Sequence, residues 1–282
     1  MAIVKPDGSI SGAMDDGVFR SYDGVTVLSS KPDVVRNPRS ESQQTNRLKL
    51  RNIISMYSCM KTALKDNFQG KSGCQSDYTR FQSCNMTVKT AVYLTYDENL
   101  NHACVVAPYV VSFGTLPTIE YHLEDDWLVT DIDVNGMVVD ECATMSDLSE
   151  LIPLRNPDFF RRGDRVGLMA CCQKTLRKAV PGGYDLPVAS CIYREFELGV
   201  KDQTPVSQYM PDFEFRINED NKLCFRSQGA CGLAVVRKRG EGRKAFSSVQ
   251  TLAVNNPMLG KYTSDEQRQL AIASYVNKKS RK

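Results

Sequence analysis

The sequence predicts an α+β chain that is mostly β: an N-terminal hairpin and helix pair, a β-sandwich-like body and a C-terminal helix. Three observations predict it. Apolar residues recur at three- and four-residue steps between positions 41 and 91 and again near 264–275. Short β-branched and aromatic runs, broken by Gly, Pro and Asp, fill the stretch between. Close to the start, Asp23-Gly24 sits between two apolar segments, a strong hairpin signature.

Residues 15–30 read as that hairpin. Val18 and Phe19 precede the turn Ser21-Tyr22-Asp23-Gly24, and Val25, Val27 and Leu28 follow it. Gly24 takes a positive φ without steric cost. Lys31-Pro32 ends the second strand, because proline has no N–H to give to a ladder. Pro38 biases Asn37 away from helical backbone. Ser40 and Gln43 then stand at capping-box spacing, so a helix starts near Glu41. Leu50, Ile53, Ile54, Tyr57, Met60 and Leu64 form its apolar stripe, and it ends near Asn67, ahead of Gly70 and Gly73. A second helix is predicted over residues 76–91, with Tyr78, Phe81, Met86 and Val88 facing the first.

From residue 101 the period changes. Residues 103–113, 118–123 and 127–132 read as strands broken by Gly114, Pro117 and Asp125-Asp126. One short helix over 145–152 interrupts them. Further strands follow over 166–172, 188–198, 213–217, 223–226, 233–237 and 246–254, the pattern of a sandwich or barrel. The last helix covers 264–275, capped by Ser264, with Leu270, Ile272 and Tyr275 as its apolar side. Residues 277–282 form a basic, frayed end. The expected division is 1–98 (arm, hairpin and two helices), 99–210 (β-rich with one inserted helix) and 211–282 (strands, helix and basic tail). No solenoid repeat and no low-complexity tract is present.

Bulk properties exclude several classes. The chain has 282 residues, 41% of them hydrophobic and 24% charged, the composition of a folded protein. With 36 basic and 33 acidic side chains the net charge is +3, too balanced for a dedicated nucleic-acid binder, so any basic patch is local. No apolar run approaches the roughly 18 residues of a membrane span, and residues 1–12 do not read as a signal peptide. No membrane partner is expected. The ten cysteines are scattered, and Cys104, Cys171 and Cys172 lie in apolar runs as small buried hydrophobes, reduced in a cytosolic setting.

Material for chemistry is scarce. His102 and His122 are the only histidines. Cys171 and Cys172 are adjacent, so on a strand they face opposite ways and cannot share one ion. Cys224 and Cys231 flank Ser227-Gln228-Gly229 and would meet across a hairpin, but no second pair has zinc spacing. The acidic groups Glu124-Asp125-Asp126 and Asp131, Asp133 lack calcium-loop spacing and read as turn residues. Nucleophile-elbow, Walker and dinucleotide motifs are absent. No catalytic residue, metal or cofactor is expected, and the chain does not read as an enzyme. Contact residues remain. Arg237, Lys238, Arg239, Arg243 and Lys244 surround Gly240-Glu241-Gly242 and read as an exposed, solubilising hairpin tip, with an acidic partner or phosphate as the functional alternative. Lys278, Lys279, Arg281 and Lys282 share that alternative. Tyr22, Arg36, Asn37, Pro38 and Arg39 read either as a plain linker or as an arm lying on a neighbouring subunit.

Residues 17–44, with Ser21-Tyr22-Asp23-Gly24, Ser30-Lys31-Pro32 and Asn37-Pro38-Arg39-Ser40-Glu41-Ser42-Gln43-Gln44, resemble an uncharacterised family found in Bacteroidetes genomes and in phages. That family's pattern is a hairpin carrying Trp-Lys-Gly, then Arg-Ser-x-Pro, then Asn-Pro-Arg-Thr-Glu-x-Gln and a helix with Arg. Here Tyr22-Asp23-Gly24 replaces Trp-Lys-Gly, Ser29 stands for Arg, Ser40 for Thr, and Arg47 lies in the helix. The resemblance continues at Met145-Ser146-Asp147-Leu148-Ser149-Glu150-Leu151, at Arg162-Gly163-Asp164-Arg165-Val166 and at Asn255-Asn256-Pro257-Met258. It implies a virion structural protein of a tailed bacteriophage, a tail or neck (portal-vertex) component assembled in the host bacterial cytoplasm. Its partners would be its own copies, other virion proteins and, weakly, DNA. The alternatives are a nucleic-acid-associated or capsid-accessory protein, or a host-encoded surface-binding β module.

Overall fold

The run Val166-Gly167-Leu168-Met169-Ala170-Cys171-Cys172 is buried from end to end because it crosses the middle layer of three. The computed structural model describes residues 2–4, 8, 10–22, 25–31, 40–71, 75–86, 91–138, 143–177 and 185–277. In chain order its elements are β1 (Ala2–Val4), β2 (Ile10–Met14), β3 (Gly17–Tyr22), β4 (Val25–Ser30), α1 (Glu41–Met60), α2 (Asp77–Met86), α3 (Tyr96–Leu100) and β5 (Val110–Ser112). Next come β6 (Tyr121–Glu124), β7 (Trp127–Asp133), α4 (Met145–Arg155), β8 (Arg165–Arg177), β9 (Asp185–Glu197), α5 (Val206–Tyr209), β10 (Glu214–Ile217), β11 (Lys222–Arg226) and β12 (Ala230–Arg239). The chain closes with β13 (Phe246–Ser247), β14 (Gln250–Thr251), β15 (Ala253–Val254), α6 (Leu259–Thr263) and α7 (Asp265–Asn277). The protein is α+β and mostly β. No helix among the described residues is long and apolar enough to cross a membrane.

The middle layer is the antiparallel sheet β13-β12-β8-β9, with β15 also on β12. Side chains alternate across a strand, and both faces of this sheet are covered. Leu168 and Ala170 of β8 and Leu233 and Val235 of β12 enter one core with Leu128 and Ile132 of β7, Phe225 of β11 and Leu148 and Ile152 of α4. The sheet β10-β11-β7-β6 supplies that second layer. Met169 and Cys171 with Ala234 and Val236 enter the other core, beneath Ile53, Met56 and Met60 of α1 and Phe81 of α2. Two-sided burial explains the unbroken apolar composition of these strands. The helical layer is what a sandwich-like body does not include. The helix-side core takes residues from each side of both expected boundaries, 98/99 and 210/211, and the other core takes residues from each side of 210/211.

Helix α1 begins where the sequence places it. Ser40 Oγ accepts from the Gln43 N–H at 3.4 Å. Its inward positions are Leu48, Asn52, Ile53, Met56 and Met60, whereas Ile54, expected inward, is exposed. Helix α2 packs on it through the Tyr57–Tyr78 and Tyr57–Phe81 rings, 5.1 and 5.8 Å apart. Val88 lies outside the described residues. Helix α4 runs three residues past the expected end, through Pro153. Proline removes the N–H that would bond Ser149, and the Ser149 carbonyl accepts instead from Gly199 at 3.0 Å. Ser264 caps α7 as expected, at 3.1 Å from the Gln267 N–H. The helix is turned relative to expectation: Gln267 and Ala271 are buried and Leu270 is exposed.

The largest departure is residues 103–113. Expected as one strand, the segment is mostly buried, yet only Val110–Ser112 forms β5, paired with β14. Side-chain amides replace neighbouring strands. Asn52 accepts from Val105 N–H and donates to Val105 C=O, both at 2.9 Å. Asn85 does the same for Val110, at 2.8 and 3.0 Å. Gln173 bonds Cys104 C=O and Val106 N–H, and Asn256 donates to Val106 C=O. Each bidentate amide mimics one residue of a β-ladder. The strand expected over 246–254 is likewise cut into three two-residue pieces, β13 and β15 on β12 and β14 on β5.

Asn52→Ala removes both bonds to Val105 and one to the Tyr109 hydroxyl. Leaving those buried groups unpaired costs about 3 kcal/mol. Urea unfolding should show that loss, while Ser58→Ala, at an exposed bond on the same helix, stays within about 0.5 kcal/mol of the parent.

Candidate functional site

Alternation along β12 decides the fate of the basic cluster. Past Val235 and Val236 the strand continues as Arg237, Lys238 and Arg239, so these three diverge to opposite faces. Arg237 is fully buried. It donates to the carbonyls of Phe159 and Pro117, and its guanidinium stacks 5.2 Å from the Phe160 ring. Burial lowers its pKa to about 10. Arg239 grips the buried Asp164 through two bonds, at 2.6 and 2.7 Å. Lys238 is buried too. The expectation of an exposed five-cation tip therefore fails for these three. Lys244 is exposed, and the Arg243 backbone lies in a 3₁₀ turn. The Tyr22 side chain, Arg36, Asn37, Pro38, Arg39, Lys278, Lys279, Arg281 and Lys282 lie outside the described residues.

Lys238 enters a cavity lined with ionisable groups, about 570 Å³, between the turn after α1 and the middle sheet. Its ammonium pairs with Glu195, donates to the Lys65 carbonyl at 3.2 Å and sits 5.3 Å from the Tyr193 ring centre. The Tyr193 hydroxyl also donates to Glu195. Arg165 reaches Glu195 and Glu241, each at 3.4 Å, and donates to the Gly240 carbonyl at 2.7 Å. Gly167 makes the arrangement fit: a Cβ there would lie 2.4 Å from the Tyr193 hydroxyl. Burial pulls the Glu195 carboxyl upward, but the hydrogen bonds from Lys238 and Tyr193 and the positive charges of Lys238 and Arg165 outweigh it, holding Glu195 below its ordinary value. Burial, with Glu195 beside it, pushes the Tyr193 hydroxyl well up. Lys238, Glu195, Tyr193 and Arg165 each have a partner from this chain, so the cluster acts as an ionic clamp joining the β12–β13 tip, the sheet and the turn that follows α1.

Other expected sites disperse. His122 is exposed on β6, 3.1 Å from Glu124. His102 takes a positive φ of 58° just past α3. Asp125 and Asp126 form the β6–β7 turn, as expected. Cys224 and Cys231 belong to different sheets, so the hairpin that would join them does not form. Among the described residues no group of three His, Cys, Asp or Glu side chains has metal-holding geometry. A second cavity, about 720 Å³, opens beside α4 between Leu154, Phe160 and Arg161.

Among the described residues, a whole sheet left without internal packing is the N-terminal meander β1-β2-β3-β4. The expected hairpin is its second half, with Tyr22 opposite Val25. The first half, β1 and β2, was not legible: Ala2-Ile3-Val4 is short and Ile10-Ser11-Gly12-Ala13-Met14 carries no β-branched alternation. Apolar side chains are exposed on both faces. Val4, Met14 and Leu28 are 68, 57 and 61% exposed on one, and Ile3, Val25 and Val27 are 64, 63 and 50% exposed on the other. A sheet with two open apolar faces lacks the second layer that makes it stable. No family model matches the chain, and no curated protein and no solved structure matches it significantly.

Glu195, with its lowered pKa, contributes stability that is present above the unfolded-state value near 4.3 and lost as the pH falls through the lower folded value. Thermal unfolding between pH 3 and about 6 should therefore fall more steeply with acid in the parent than in Glu195→Gln. Gly167→Ala should destabilise by about 1–3 kcal/mol through overpacking. In a double-mutant cycle with Tyr193→Ala, that cost should largely disappear.

Proposed function

We propose that this chain is a virion structural protein of a tailed bacteriophage, a tail or neck component that works through protein–protein contacts. The observation that carries the reading is the N-terminal meander, a single-layer sheet with exposed apolar side chains on both faces. Exposed apolar surface of this kind is the mark of an interaction site. The resemblance of residues 17–44 to a family found in phages supplies the setting. In that setting the meander engages a neighbouring copy while the ionic clamp keeps the body rigid. The nucleic-acid alternative loses support, because Arg237, Lys238 and Arg239 spend their charge on Phe159, Pro117, Glu195 and Asp164 inside the molecule.

Mass spectrometry of purified particles from cells carrying the gene should find the protein as a stoichiometric component, and its absence overturns the reading. Val27→Asp, at an exposed meander position, should leave the urea midpoint of the body unchanged within about 0.5 kcal/mol. The same variant should be depleted from particles.

A further inference from the structure

Strand β4 is the last strand of its sheet, and all six of its residues are exposed. Its register fixes which backbone groups face outward. The Lys31 N–H donates to the Asp16 carbonyl at 2.6 Å, and hydrogen-bonded and non-hydrogen-bonded pairs alternate along an antiparallel ladder. Val18–Ser29, Arg20–Val27 and Tyr22–Val25 are therefore bonded pairs, and Gly17–Ser30, Phe19–Leu28 and Ser21–Thr26 are not. Thr26, Leu28 and Ser30 point their N–H and C=O groups away from β3, along the open edge. Among the described residues nothing bonds to these groups.

Natural sheets blunt an open edge by shortening it or by placing charge or proline on it. The opposite edge follows that rule: β1 has three residues. Strand β4 reads Val-Thr-Val-Leu-Ser-Ser, with neither charge nor proline. Of the three long strands of the body, β8 lies inside its sheet, β12 is paired along both edges and β9 has part of its free edge bonded. On β12, one edge pairs with β8 and the other with β13 and β15. On β9, the Pro187 and Glu195 carbonyls accept from the Cys104 N–H and the Tyr209 hydroxyl. The β4 edge is the exception.

We propose that β4 pairs with β4 of a second copy of this chain, antiparallel across a two-fold axis through Leu28, joining two meanders into one continuous eight-stranded sheet. The proposal rests on the protein-contact reading above and names the partner for its arm. The strand is complementary to itself in one register. With Leu28 opposite Leu28 and Thr26 opposite Ser30, the outward groups of both copies are all used, forming six hydrogen bonds. A slip of two residues puts Ser30 or Thr26 opposite a residue outside the strand. Directly opposed residues share a face, so the two exposed Leu28 side chains meet. The isologous pairing closes on itself and does not run on into a fibre. A six-residue edge buries far less than the roughly 800 Å² per partner of a stable interface, so pairing is concentration-dependent in solution and strengthens when other contacts hold the copies together.

The test uses the full chain and two variants, Leu28→Lys and Leu28→Glu, in sedimentation equilibrium over a wide concentration range. Circular dichroism and thermal unfolding should match the parent, because Leu28 is exposed. The parent should dimerise reversibly. Each variant places like charges across the axis and should weaken dimerisation at least tenfold, and the equimolar mixture of the two should restore it. Variants that associate like the parent, or a mixture that does not recover, overturn the pairing and move self-association to another surface. A parent that stays monomeric throughout also overturns it. Neither result bears on whether the protein is found in particles, which tests the broader reading separately.

Discussion

A buried peptide group must be hydrogen-bonded, and in this protein that constraint falls hardest on residues 103–113. The segment crosses the helix-side core, where an unpaired N–H or C=O costs more than a typical bond contributes. Only three of its residues find a strand. Outside them, backbone carbonyls serve Ala103, Cys104, Tyr109 and Phe113, Asn52 from α1 serves Val105, and Gln173 from β8 and Asn256 ahead of α6 serve Cys104 and Val106, while Asn85 from α2 completes Val110. One segment thereby fixes two helices and the middle sheet relative to one another. Asn67 extends the system, donating to Val111 C=O, while its own carbonyl accepts from Ser112, Phe113 and Ser247. Gly114 belongs to the same knot: a Cβ there would lie 2.1 Å from the Ser247 carbonyl.

The dependence runs outward from there. Because the segment is locked beneath α1, the middle sheet must bury its near face against helices, and the smaller sheet is left to cover the far one. That division explains why β8 and β12 are apolar on both faces and why charge collects at their ends. Past Val236, β12 leaves the cores, and the long cations of residues 237–239 fold back on carbonyls and carboxylates at the rim. Ion pairs of this kind contribute little net stability over an apolar substitute, but removing one partner leaves the other buried and alone. Their effect is to fix geometry, here the seating of the β12–β13 tip on the turn that follows α1.

Legibility in the sequence followed how local the determining interaction is. Helices α1 and α7 were readable from a cap and a period, both contained within a few residues. Helix α3 carried a capping box as well, Thr95 with Glu98, but five residues gave no period to notice. Strands β7, β8, β10 and β11 were readable because burial and composition agree. Residues 103–113 misled because the same β-rich composition suits a segment paired by backbone and one paired by amides. The four amides lie up to about 200 positions apart in the chain, and each looks alone like an ordinary polar residue. The basic tip misled for a related reason: charge usually means exposure, and the groups that neutralise Arg239 and Lys238, Asp164 and Glu195, are distant in sequence. Period two along Val235-Val236-Arg237-Lys238 was the available signal, since it sends consecutive cations to opposite faces.

The body and the arm obey opposite rules. Among the described residues, the body leaves four buried side-chain atoms unbonded: Asn67 Oδ1, Arg80 Nε, Arg237 Nε and the Tyr275 hydroxyl. Its polar interior is otherwise matched by internal partners, so its charged clusters hold the molecule's own shape and offer little to a ligand. The meander has apolar side chains on both faces and an uncharged edge whose outward N–H and C=O groups have no partner among the described residues. Water satisfies those groups in the free chain, so the open edge costs little there. The apolar faces are different, because no arrangement of solvent replaces a second layer. A chain that matches its interior so closely and leaves the four strands β1–β4 in one layer keeps its unmet apolar surface apart from its body.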